Sequence, residues 1–165
     1  MAYTHKIVTS IIDELNVYFE HPVLKERRSF TTSFNDPDIN FVYTIQRYSK
    51  GILIDFTNLH IDFENRGNGI MTSIFDELEM ILLDLKKTNK EDIVVQIGNF
   101  NNQRLMKHFV TKRNYLAFKA DNEIVFDQEK VDMYIDMYYL PFDMNRIGQM
   151  NELNAYIPNI TKKII

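Results

Sequence analysis

The stretch Leu59-His60-Ile61-Asp62-Phe63-Glu64-Asn65-Arg66-Gly67-Asn68-Gly69-Ile70 runs from an apolar strand into an Arg-Gly-x-Gly turn, and an amphipathic helix follows at once. Such a junction suits an anion. Glycine tolerates backbone dihedrals that other residues resist, so successive amide N–H groups can converge on one phosphate. The helix start adds unpaired N–H groups and the positive end of its dipole. Taken alone, a Gly-x-Gly is equally well a plain turn. Its neighbours therefore decide its meaning.

After the turn, Ile74, Phe75, Leu78, Ile81, Leu82 and Leu85 form one apolar stripe, with Asp76, Glu77, Glu79, Asp84 and Lys86 on other faces. That pattern predicts a helix. Before the turn, three candidate strands cover 29–34, 41–48 and 52–63, separated by Asn35-Asp36-Pro37-Asp38 and Ser49-Lys50-Gly51. These separators are turn chemistry, and an antiparallel meander follows. Nearer the start, Ile7, Val8, Ile11, Ile12, Leu15 and Phe19 recur at helical spacing until Pro22 discourages continuation.

Ile93-Val94-Val95-Gln96-Ile97 reads as a short strand buried on both faces. Strand, crossover helix and strand in that order imply a parallel pair. A helix over 102–112 follows, with Leu105, Met106, Phe109 and Val110 on its apolar side, and then strands over 116–126, in one or two pieces, and 131–140. The expected fold class is mixed α/β, with a central, mostly antiparallel sheet flanked by helices. Residues 1–142 form the domain. Residues 143–165, broken by Gly148 and Pro158, form an extension with a short helix expected over 146–156. It has three uses open to it: packing on the body, covering a pocket, or meeting a second subunit in a homodimer.

Composition narrows the classes. At 165 residues, with 45% hydrophobic and 25% charged residues, the chain has the makeup of one globular domain rather than a disordered segment. A net charge of -4 argues against a general nucleic-acid or anionic-membrane binder. No apolar run approaches the roughly 18 residues that a membrane helix needs, and the opening Met1-Ala2-Tyr3-Thr4-His5-Lys6 lacks a signal-peptide pattern, so a cytoplasmic protein is expected. Zero cysteines exclude disulfides, zinc thiolates and cysteine nucleophiles. His5, His21, His60 and His108 show no metal-ligand spacing. No metal is expected.

The order of these elements resembles the GNAT superfamily of acyl-CoA-dependent N-acetyltransferases over most of the chain. The fourth strand of that family commonly ends in leucine, any residue, valine, any, proline, two more, arginine and glycine; Leu59, Ile61, Phe63, Arg66 and Gly67 stand in those places, without the proline. The family's pyrophosphate signature is Gln or Arg, two residues, Gly, one residue, then Gly or Ala. Arg66 and Gly69 fit one register, with Met71 where a small residue is expected. Gly67 and Gly69 fit another, with Glu64 in the leading place. The resemblance implies acetyl-CoA as cofactor, its pyrophosphate on the amides of about Arg66, Gly67, Asn68, Gly69, Ile70, Met71 and Thr72, and its thioester beside Leu59 and Ile61.

In the same family an asparagine on the following helix contacts the pantetheine arm, and a tyrosine farther along commonly protonates the departing thiolate. Asn102 and Phe109 reproduce that spacing, with Leu105 between them. Phenylalanine donates no proton, which leaves Tyr115 or a water for that step. Helical periodicity also reads Phe109 as core. Asn101 and Asn102 serve equally as helix-capping residues.

The family often places a glutamate on the fourth strand before the matched leucine, and Asp55 stands at about that position, with His60, Asp62 and Glu64 as alternatives. Amine acetylation needs a base for the ammonium proton. Asp55 lies between Ile54 and Phe56, where a carboxylate is costly unless paired, functional or solvent-facing. Strand alternation puts Asp55, Thr57, Leu59 and Ile61 on one face if no bulge intervenes. Arg104, Lys107, His108, Lys112 and Arg113 form a basic cluster, read first as a solvated helix face and second as a site for the CoA ribose phosphate or an acidic partner. The implied activity is acetyl transfer to a primary amine by direct attack in a ternary complex, on a small molecule or a protein. The competing expectation is a non-catalytic GNAT-fold module that binds CoA or a protein.

Overall fold

The computed structural model describes residues 2–48, 51–89, 91–98, 103–113, 115–119, 124–125 and 134–139. Helix α1 (Ala2–Glu20) leads into strands β1 (Arg28–Asn35), β2 (Asp38–Arg47) and β3 (Gly51–Ile61). A 3-10 turn (Phe63–Asn65) and the glycines precede α2 (Ile70–Thr88), and β4 (Asp92–Gly98), α3 (Gln103–Arg113), β5 (Leu116–Lys119), β6 (Ile124–Val125) and β7 (Tyr134–Tyr139) follow. Among the described residues the strands form one sheet in the order β1-β2-β3-β4-β7-β5-β6. The first three are an antiparallel meander, β3 and β4 are parallel, and β7 returns antiparallel to both β4 and β5. This is the mixed α/β class that the periodicities predict. The extension 143–165 lies outside the described residues.

Alternation along β2 sends Ile39, Phe41, Tyr43 and Ile45 to the helix-bearing face, where all are buried. β3 adds Ile52, Ile54 and Phe56, and α1 presses Ile7, Val8, Ile11, Leu15 and Tyr18 on the same core. Aromatic rings then connect the layers. Phe75 of α2 lies 5.5 Å from Phe56 and 4.8 Å from Phe109, and Phe109 lies 4.9 Å from Tyr115, the last two pairs edge to face. Each such pair adds about 0.5–1.5 kcal/mol beyond area burial.

Two buried arginines fasten this layer. The Arg47 guanidinium donates to the carbonyl oxygens of Tyr18, His21 and Leu24, and grips Glu91 at 2.7 and 3.0 Å. All its N–H donors are used, so it closes the end of α1 against the start of β4. Arg113, at the end of α3, donates to Asp76, Glu79 and the Thr72 carbonyl of α2 at 2.7–2.9 Å. Arg113 is thus buried, not part of the solvated basic face that helical spacing suggests; Arg104 and Lys112 are exposed. Helical spacing alone does not show that α2 supplies carboxylates to this one member of the cluster. No helix among the described residues is long and apolar enough to cross a membrane.

Candidate active site

The parallel pairing of β3 and β4 begins at Gly51 opposite Asp92 and ends at Phe56 opposite Ile97. At the same level the β2–β3 register slips: Tyr43 faces Phe56 and Val42 faces Asn58, leaving Thr57 as an extra residue. Its hydroxyl donates to the Val42 carbonyl at 3.3 Å. A bulge of this kind twists a strand locally and breaks the ladder. From Thr57 to Ile61 the edge of β3 that faced β4 carries no strand among the described residues.

The bulge also changes faces. Unbroken alternation would put Asp55, Thr57, Leu59 and Ile61 on one side. With one residue inserted, Leu59 and Ile61 turn to the helix-bearing face and pack on the core. Asp55 stays on the opposite face, in a row with Thr44 of β2 and Gln96 of β4. Its carboxylate is mostly buried and lies 3.7 Å from the Arg27 guanidinium.

At the end of β3 the chain makes the glycine turn. Gly67 and Gly69 have φ of 84° and 77°, in the left-handed region that L side chains avoid. A Cβ on either would meet nothing within 4 Å among the described residues. The glycines are thus required by torsion, and among the described residues the space before them is open. Gly69 is the N-cap of α2 and offers no side-chain acceptor, so by helix geometry the N–H groups of Ile70, Met71 and Thr72 are left for an outside acceptor. A helix start of this kind can receive an anionic group. Met71 is half-buried and packs against the core. Arg66 is exposed; its Nε donates to the Ile61 carbonyl at 2.9 Å, and its guanidinium lies over the exposed Phe63 ring. Asn68 is exposed on the turn.

The other candidates separate. Phe109 is fully buried between Phe75 and Tyr115, a core position as its periodicity suggests. Tyr115 is also buried, and its hydroxyl donates to Glu79 at 3.1 Å, on the helix-bearing side of the sheet. Asp55 and Tyr115 therefore lie on opposite faces. Burial pushes the Glu79 carboxyl up, against the pull of Arg113 and the Tyr115 hydrogen bond. His60 stands 3.7 Å from Asp38, Asp62 accepts from Asn65 at 2.9 Å, and Glu64 is exposed on the 3-10 turn. Burial lowers the pKa of His108, and Arg113 adds to the shift. Asn102 lies outside the described residues. No group of three metal-ligating side chains occurs among the described residues. Arg27 is the residue that sequence reading missed: it follows a segment without periodicity, and only the sheet brings it to Asp55.

No protein-family model matches the sequence, and no curated protein matches it. The chain is similar to three solved structures. One is the toxin AtaT, in a tyrosine-to-phenylalanine form bound to the C-terminus of the antitoxin AtaR and to acetyl-CoA, at 11% identity, over 84% of each chain, with a TM-score of 0.42. Another is a GNAT-family acetyltransferase described from Bacteroides thetaiotaomicron, at 11% identity over 90% of this chain and 81% of that one, with a TM-score of 0.35. The third is an acetyltransferase from Bacillus cereus, at 15% identity over 79% and 87%, with a TM-score of 0.36.

Proposed function

We propose that this chain binds acetyl-CoA along the open edge of β3 and transfers the acetyl group to a primary amine. The observation that carries the reading is the end of β3–β4 pairing at Phe56 and Ile97, beside a bulge and on the strand that runs into the glycine turn. An arm bearing amides needs an unpaired strand edge, and a diphosphate needs converging N–H groups. One strand offers both. The Arg-Gly-x-Gly pattern that resembles the GNAT superfamily supports the same reading.

In this reading the amides from Gly67 to Thr72 hold the diphosphate, and the backbone beyond the bulge polarises the thioester carbonyl. Asp55, two residues before the bulge, takes a proton from the acceptor ammonium. The neutral amine attacks in a ternary complex. A C–N bond forms, the C–S bond breaks, and the second nitrogen proton passes through solvent to the thiolate. Tyr115 receives no step, because its hydroxyl is committed to Glu79.

The buried Phe109 favours a second reading, a non-catalytic module that binds CoA or a protein, since the acid of the family pattern is absent from that helix. Thermal shift with acetyl-CoA, and thiol release in the presence of a panel of primary amines, separate the two. A shift with thiol release is the expected result. A shift without release would leave the CoA-binding module, and no shift at millimolar acetyl-CoA would remove the transferase and the CoA-binding module alike, leaving a module that binds a protein.

A further inference from the structure

Around Asp55 the face away from the helices carries a charge pattern that a simple amine site does not need. Arg27 precedes β1, and its side chain crosses β2 to reach Asp55 at 3.7 Å while remaining 56% exposed. Tyr48 stands near both charges. Its hydroxyl donates to Gln46 at 3.1 Å, and its pKa is raised by burial, with opposing contributions from Arg27 and Asp55 that mark all three as electrostatic neighbours. A bare ammonium entering here would meet the Arg27 cation at close range. An acceptor that brings its own carboxylate would satisfy both charges.

Resting on the transferase reading, we propose that the acceptor is an amino acid, its ammonium taken by Asp55 and its carboxylate by the Arg27 fork. Guanidinium presents coplanar N–H donors that match a carboxylate two at a time, and the exposed side of Arg27 faces the solvent from which the acceptor arrives. Polyamines, which add only positive charge, are poor acceptors. The reaction is the one given above, with the amino acid nitrogen as nucleophile and N-acetyl amino acid and free CoA thiol as products.

The test measures thiol release from acetyl-CoA with glycine, β-alanine, γ-aminobutyrate and lysine against glycinamide, β-alaninamide, γ-aminobutyramide and cadaverine. Each acid is expected to exceed its amide or decarboxylated counterpart, which lacks the carboxylate, at least tenfold in kcat/KM, mainly through KM, a size set by charge-assisted hydrogen bonds. The acid series reports the spacing between the two charges. In Arg27→Met the ratio falls to about one, and Arg27→Lys retains part of it because charge persists without the fork. Thiol release that favours amides or cadaverine, or a ratio that survives Arg27→Met, would overturn the proposal and leave the transferase reading standing. If no amine releases thiol, the transferase reading fails and the pair is judged by binding. A thermal shift with the acids, absent with the amides and lost in Arg27→Met, supports the amino acid site, and no such difference overturns it.

Discussion

Phe56 and Ile97 are the last residues through which β3 and β4 face one another, and Thr57, next along β3, is the extra residue of the bulge. Two strands that separate at a bulge leave one edge open. On this chain the open edge leads straight to two glycines with positive φ and a helix start without a side-chain cap.

The glycine turn separates torsion from space. Gly67→Ala and Gly69→Ala are each expected to cost about 1–2 kcal/mol in urea unfolding, because φ is left-handed while the Cβ meets open space. Gly69→Trp should also remove the thermal shift with acetyl-CoA by filling the space before the α2 amides. A retained shift would place the cofactor elsewhere.

Asp55→Asn keeps the side-chain shape and removes the base. Acetyl transfer should fall by about 10²–10⁴-fold and recover partly at alkaline pH, where the amine sheds its own proton. A pH–rate profile equal to that of the parent would exclude Asp55 from proton transfer.

Phe109→Tyr adds a hydroxyl without adding an acid to the site. The ring is fully buried between Phe75 and Tyr115, so a hydroxyl there is expected to cost about 1–3 kcal/mol and to leave the transfer rate no higher. Tyr115→Phe should cost about 1 kcal/mol by losing the bond to Glu79, with kcat held within a few-fold. A hundredfold fall in kcat would make Tyr115 the acid after all.

Arg47→Met takes the guanidinium from Glu91 and from three carbonyl oxygens, of which that of His21 keeps the Leu24 N–H. Breaking a buried pair from one side typically costs about 3–5 kcal/mol. Chemical denaturation should show a loss of that size, and a change below 1 kcal/mol would show that the end of α1 finds other donors.

Glu79 supplies one part of the pH dependence. Its carboxyl is raised by burial, so the folded state holds the proton more tightly than the unfolded state does. Stability from this group is therefore present at low pH and declines as pH climbs above the ordinary carboxylate range. Glu79→Gln abolishes that decline, so from pH 4 to 7 the variant's urea midpoint should gain steadily on that of the parent. Parallel curves would assign the slope to other groups.

Much of the fold was legible from periodicity. The stripe from Ile74 to Leu85 and the run Ile93 to Ile97 appear as α2 and β4 because one-dimensional spacing reports which side chains share a face. The faces of β3 were not legible beyond Phe56. A single inserted residue at Thr57 reverses alternation, and its cause lies in pairing with Val42, fifteen residues earlier.

The sequence by itself determined the elements from α1 to β4, their order and the glycine turn, since these follow from local torsional preference and short-range apolar spacing. Tertiary structure alone decided which charges meet. It took Arg113 from an apparent basic face into a buried site on α2, tied Tyr115 to Glu79, and carried Arg27 across a strand to Asp55. Charge and hydrogen bonding act between groups that folding brings within a few ångströms, and separation along the chain does not encode that distance.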